Sequence, residues 1–203
     1  MVPISSIESS YTPYEKKLLR RVARDSILHG VETGGALAVT ATEYPASLQA
    51  HRATFVTLEL DKSLRGCIGA LDATRPLVEA VAHHAYAAAF CDPRFKPLTA
   101  AEFAGVALEI SVLSPPQPMT ISSEADLLQQ LRPGIDGLIL EENARRETFL
   151  PSVWESLPKP RNFLRHLKAK AGLSKSYWSD TIKVLRYTTE LINLETAVDR
   201  CND

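Results

Sequence analysis

The densest run of potentially reactive side chains is Leu64-Arg65-Gly66-Cys67-Ile68-Gly69. A thiol attacks or ligates as its thiolate, and a neighbouring guanidinium favours that form. On an extended strand Arg65 and Cys67 share one face, with Leu64 and Ile68 on the other. Gly66 and Gly69 carry no side chain, so a ligand or another backbone can approach closely there. Two readings stand for Cys67, a reactive thiol and a small buried apolar residue. Glu109, within Ala107-Leu108-Glu109-Ile110-Ser111, is ionisable in an otherwise apolar run. It marks either a solvated strand face or a cross-strand pair, for which Arg65 is a suitable partner. In Asp92-Pro93-Arg94-Phe95, Arg94 is placed to grip an anion. The same segment also suits plain structural duty, with Phe95 docked and Asp92 on a backbone N–H. Cys67, His83, His84 and Cys91 fall close together, yet there is no Cys-x-x-Cys and no His-x-x-x-His. His83 and His84 would point about 100° apart on a helix, so no metal is expected. No nucleophile elbow or phosphate-cradling glycine loop is present, and no cofactor is expected.

These groups need elements to hold them. Thr12, Pro13 and Glu15 form a capping box opening a helix that runs to about His29, with Gly30 as its stop. Residues 52–60 are β-branched and aromatic, Asp61-Lys62-Ser63 is turn chemistry, and 64–70 returns as the second strand of a hairpin. An Ala-rich helix covers 77–90, and the prolines at 93 and 97 make the next segment a loop. Thr99 and Glu102 cap a short helix, and 106–113 is a strand ended by Ser114-Pro115-Pro116. Further on come a helix at 123–131, a hairpin of 137–141 with 147–150, a helix at 162–171 stopped by Gly172, and a strand at 181–189. Adjacent strands interspersed with helices predict an α+β fold with a mainly antiparallel sheet. Residues 13–190 read as one domain with room for two subdomains, and 1–12 and 191–203 as terminal extensions.

Composition bounds the function class. The 203 residues carry 23 Lys+Arg against 24 Asp+Glu, a formal charge of −1, which argues against a generic nucleic-acid or anionic-membrane binder. Apolar content of 45% with 23% charged residues is that of a folded globular chain. No membrane-spanning run or leader is visible, and three cysteines make no disulfide framework, so a soluble, cytoplasmic protein is expected. The neutral total hides a local excess. Between Pro151 and Arg186, Lys159, Arg161, Arg165, Lys168, Lys170, Lys175, Lys183 and Arg186 face only Glu155 and Asp180. That pattern is either a solvated face or a surface for RNA or a phosphorylated partner.

The order of several motifs resembles the AMMECR family. They include Ala53-Thr-Phe-Val-Thr-Leu, Leu64 to Gly69, Arg75-Pro76-Leu77, Asp92-Pro-Arg-Phe, Glu109-Ile-Ser-Val-Leu-Ser, Leu131-Arg-Pro-Gly, Asp136-Gly-Leu-Ile-Leu, Val153-Trp154 and Lys170-Ala-Gly-Leu. The resemblance spans roughly residues 13–190. It implies an antiparallel sheet flanked by helices with a smaller appended subdomain, and no established activity. Bacterial and archaeal relatives belong to an AmmeMemoRadiSam system, which implies a Memo-type protein and a radical S-adenosylmethionine protein as partners. His84 stands where the family usually shows Asn, and Cys91 where residue type varies, which weakens any metal scheme using either.

The expectation is thus an uncharacterised AMMECR-domain protein with a cleft around the hexapeptide. Cys67 and Glu109 are the candidate catalytic residues, and Arg65, Gly66, Gly69, Asp92 and Arg94 the candidate contacts to a small anionic ligand. The alternative is a non-catalytic adaptor that binds a protein partner or RNA through the basic 159–186 face.

Overall fold

The computed structural model describes residues 10–194. The chain forms α1 (Pro13–Thr33), α2 (Ala46–Gln49), β1 (Thr54–Leu60), β2 (Ser63–Ala70), α3 (Leu77–Phe90), α4 (Ala100–Phe103), β3 (Ala107–Leu113) and β4 (Gln117–Pro118). It continues with α5 (Glu124–Gln130), β5 (Gly137–Glu142), β6 (Arg145–Phe149), α6 (Val153–Ser156), α7 (Pro160–Lys170), β7 (Lys183–Tyr187) and β8 (Thr189–Leu194). The fold is α+β, with two antiparallel sheets of order β2-β1-β3-β8 and β4-β7-β5-β6. Each sheet belongs to its own compact unit, one made of the described residues up to 112 and from 190 onward, the other of residues 113–189.

In the first unit, Val56 and Leu58 of β1 and Leu108 and Ile110 of β3 are buried together with Leu19 and Ile27 of α1 and Val81 and Ala85 of α3. Alternation along each strand explains this, since every second side chain falls on the helix-covered face. The Thr12 capping box forms as expected, with Thr12 accepting from the Glu15 backbone and Glu15 from the Thr12 N–H at 2.7 Å. The helix does not stop at Gly30. It runs on to Gly34, whose φ of 76° is the left-handed cap. Gly30 is instead a packing residue, because a Cβ there would lie 2.3 Å from the Phe90 ring. The first hairpin turns at Asp61 and Lys62, both at positive φ.

In the second unit, Leu138 and Leu140 of β5 and Val184 of β7 pack on Leu127 of α5 and Phe163, Leu164 and Leu167 of α7. Trp154 stacks on Phe163 with ring centroids 3.9 Å apart, and its indole N–H donates to the Asp136 carbonyl at 2.7 Å. The expected final strand is two strands. β7 ends at Tyr187 and β8 begins at Thr189, without a Gly or Pro between them to signal the change of sheet. Ser114 marks the junction, donating its N–H to the Thr188 carbonyl (2.9 Å) and accepting the Thr188 N–H on its hydroxyl (3.0 Å). Glu190 then ties β8 to α1 through Lys16 at 2.9 Å. No helix among the described residues is long and apolar enough to cross a membrane.

Candidate functional site

The hexapeptide lies on β2, at the edge of the first sheet. A β-bulge interrupts the pairing, so that Leu58 opposes Gly66 while Glu59 opposes Leu64. This corrects the simple alternation expected of the segment. The extra residue, Arg65, shifts parity, and Leu64 registers with the exposed Glu59 and is itself 44% exposed. Ile68 still registers with buried Val56, and Cys67 registers with Thr57 on the opposite face.

Both glycines are required by close approaches of protein rather than ligand. A Cβ on Gly66 would lie 2.1 Å from the Ala88 carbonyl oxygen, so α3 packs directly on the strand backbone. A Cβ on Gly69 would lie 2.3 Å from the Thr54 carbonyl oxygen and 2.4 Å from the Phe55 ring.

The loop after α3 closes the strand edge. Asp92, almost fully buried, accepts the Cys67 N–H at 2.9 Å. The same carboxylate accepts the Arg94 N–H at 3.1 Å, Nε at 2.9 Å and Nη2 at 2.6 Å. Arg94 Nη2 also donates to the Cys67 carbonyl at 3.4 Å. The two outward main-chain groups of Cys67 are therefore satisfied by one Asp–Arg pair, which blunts an otherwise open sheet edge. The Arg94 hydrogen bonds hold the Asp92 carboxyl far below the usual carboxylate range, and the same pairing raises Arg94.

Arg65 does not bond Glu109. Its Nε donates to Glu102 Oε1 at 3.0 Å, and its Nη2 to Glu102 Oε2 at 3.2 Å and the Lys96 carbonyl at 2.9 Å. Glu102 is also the capping-box residue of α4, accepting the Thr99 N–H at 2.9 Å. Arg65 brings its carboxyl down to about 2, with the Thr99 N–H helping. The register accounts for this, because Glu109 shares its row with Thr57 and Cys67, while Arg65 is the bulged residue and has no partner on β1. Arg65 and Arg94 both lie against Phe95, their guanidinium carbons 5.8 and 5.4 Å from the ring centroid. Arg65 Nη1 is buried and has no hydrogen-bond partner among the described residues.

Cys67 and Glu109 are joined through a residue that sequence reading passed over. Thr57 of β1 registers with Cys67 on one side and Glu109 on the other. Its hydroxyl donates to the Cys67 Sγ at 3.3 Å. All three are half-buried. The row thus places a thiol, a hydroxyl and a carboxylate side by side across three strands, with the half-exposed Arg94 at the edge. Chemically it can present a nucleophile beside a proton acceptor and a cation. Thr57 was findable only through the register, which the bulge sets.

The basic segment is not one face. Lys168 is fully buried, forming an ion pair with Glu124 at 2.9 Å and lying 5.4 Å from the Trp178 ring centroid. Lys170 is engaged with Glu147 at 3.1 Å and donates to the Thr148 carbonyl at 3.0 Å. Position 168 of α7 points inward, as helical period places it with buried Leu164.

His84 is buried and hydrogen-bonded through Nδ1 to the Thr54 hydroxyl at 2.7 Å. Burial pushes its pKa down to about 4, so it is a neutral core residue. No group of three or more His, Cys, Asp or Glu able to hold a metal ion occurs among the described residues. Cys201 lies outside them.

The model of the AMMECR1 family matches residues 20–192. The chain belongs to the AMMECR1 family. A relative from Methanocaldococcus jannaschii is 35% identical over 156 residues, covering 73% of this chain and 76% of its own. One from Thermofilum pendens is 35% identical over 193 residues, covering 87% and 88%. The crystal structure of an uncharacterized protein from Pyrococcus horikoshii superposes with a TM-score of 0.82 at 31% identity, covering 90% of this chain and 92% of that one. The relatives carry no named activity, so function in this AMMECR1-family chain has to be argued from its own residues.

Proposed function

We propose that the first unit binds, and acts on, a small anionic molecule at Cys67. The thiol serves as nucleophile or direct contact, Glu109 accepts a proton on the same sheet face, and Arg94 draws the anion. The row Cys67–Thr57–Glu109 carries this reading. Three strands hold those groups in register, and the Asp92–Arg94 pair pins the Cys67 main chain, so the thiol is positioned without ordering cost. Arg94 suits the anion role because its side chain is 53% exposed, and Nη1 has no partner among the described residues. Arg65, Gly66, Gly69 and Asp92 have structural assignments that already account for them, and their role is to build the site.

Alkylation tests the reading. In a Cys91→Ser, Cys201→Ser background, iodoacetamide and iodoacetate should both label Cys67 without denaturant. Arg94→Gln should lower the iodoacetate rate about fivefold relative to iodoacetamide, the effect of one nearby charge in a hydrated setting. Labelling of Cys67 that requires denaturant, or a rate ratio unchanged by Arg94→Gln, overturns it.

A further inference from the structure

We infer that the second unit carries a separate binding site for a small organic phosphate of nucleotide size. An open cleft of about 610 Å³ lies between α5, α7 and the loop after Gly172. That volume is in the range of small-molecule sites. Arg161 and Arg165, one turn apart on α7, enter it from one side, and Ser174, Lys175 and Ser176 from the other. None of the three cations has a hydrogen bond or ion pair within the described residues. Elsewhere in this unit Arg132 is matched to Asp136 and Arg146 to Glu141.

One carboxylate lines the cleft, that of Glu124. It does not neutralise the cations, because buried Lys168 takes it at 2.9 Å. An internal lysine thus cancels the single acid and leaves the cleft positive. The serine-bearing wall is preorganised. Tyr177, Ser179 and Thr181 donate their hydroxyls to Glu142 at 2.6, 2.8 and 3.0 Å, and Arg145 donates to the Gly172 carbonyl at 3.0 Å. Buried Glu142 is held ionised chiefly by the Tyr177 hydroxyl. Arginine forks with nearby hydroxyls are the donor set that recognises phosphate. Ala125 and Leu128 add an apolar wall, which suits a ligand with a ring or chain beside its phosphates. A long polynucleotide is a poorer match, because Lys168 is buried and Lys170 is neutralised by Glu147, which breaks any continuous basic stripe.

Isothermal titration with ADP, pyrophosphate and a single-stranded RNA 12-mer tests this. ADP should bind one-to-one, and Arg161→Ala/Arg165→Ala should weaken it at least tenfold. Arg165→Glu should do the same, as a second variant, with folding checked by circular dichroism. Lys159→Ala, off the cleft, should change affinity less than twofold, and Cys67→Ser should leave it unaltered, which separates this site from the Cys67 reading. The inference is overturned by any of three results. These are no binding of ADP or pyrophosphate, equal weakening by Lys159→Ala and the double variant, or binding of RNA alone.

Discussion

Buried Asp92 in the first unit and buried Asp136 in the second are held by nearly the same device. Asp92 takes two nitrogens and the N–H of Arg94, whose side chain is 53% exposed. Asp136 takes Nε at 3.0 Å, Nη2 at 2.6 Å and the N–H of Arg132 at 2.8 Å, with Arg132 50% exposed. Their surroundings differ. Asp92 reaches across to the Cys67 backbone, so its pair closes a sheet edge beside a thiol. Asp136 folds back on its own turn, and its carbonyl receives the Trp154 indole, so its pair secures a core. The cations show the reverse contrast. In the first unit Arg65 is consumed by Glu102, whereas in the second Arg161, Arg165 and Lys175 line a cleft without partners among the described residues. A cation whose donors are consumed inside its own unit explains stability, and one that keeps exposed donors at an edge or in a concavity points to a ligand.

Removing either clamp should have the largest effect. Asp92→Ala and Asp136→Ala each remove the acceptor of several donors, while the half-exposed arginine can still reach water, and should cost about 3 kcal/mol in urea unfolding. A near-zero cost for one of them would end the parallel. The next effect separates the units by pH. His84, in the first unit, has a folded pKa of about 4 against 6.5, so the unfolded chain binds more protons between those values. Its contribution, about 3 kcal/mol, is complete above pH 6.5 and lost as pH falls to 4. Glu102 and Asp92 add losses only below about pH 4.5, their ordinary range, because both are held below it. His84→Asn, which keeps a partner for Thr54, should flatten the 6.5-to-4 slope in melts followed by circular dichroism.

Tyr187, in the second unit, is buried and pushed up to about 12 from 10. The unfolded tyrosine ionises first, so stability is full below pH 10 and about 3 kcal/mol is lost as pH rises to 12. Trp154 and Trp178, the two tryptophans of the chain, both lie in this unit, so their fluorescence reports it selectively. Tyr187→Phe should remove that alkaline loss from the tryptophan signal. A smaller effect follows from packing. Gly66→Ala should cost about 2 kcal/mol or more, since the clash is with α3 backbone that cannot rotate away. Smallest of all, Arg161→Ala should change stability by less than about 0.5 kcal/mol, as expected of a cation with no partner among the described residues. A cost above 1 kcal/mol would mean that Arg161 is structural after all.

Local chemistry was legible before any fold was known. The capping boxes at Thr12/Glu15 and Thr99/Glu102, the turn at Asp61-Lys62, the helix at 77–90 and the loop at 91–97 depend on residues within a few positions of one another. Family motifs marked which segments hold the candidate site residues, and α+β character followed from the strand and helix order. The partner of each side chain was not legible. One bulged residue left Arg65 without a partner on β1 and set Cys67 opposite Thr57, and Arg65 bonds Glu102 rather than Glu109. A one-residue slip reverses every face of a strand, and local propensity does not report it. Lys168 reads as one more surface charge until helix packing seals it against Glu124, and the change of sheet at Thr188 carries no turn residue. The sequence by itself determined the elements and the family, because caps and turns are local interactions. Only the tertiary structure decided which charges are cancelled and which are left unpaired among the described residues, because burial and pairing depend on residues brought together from distant positions.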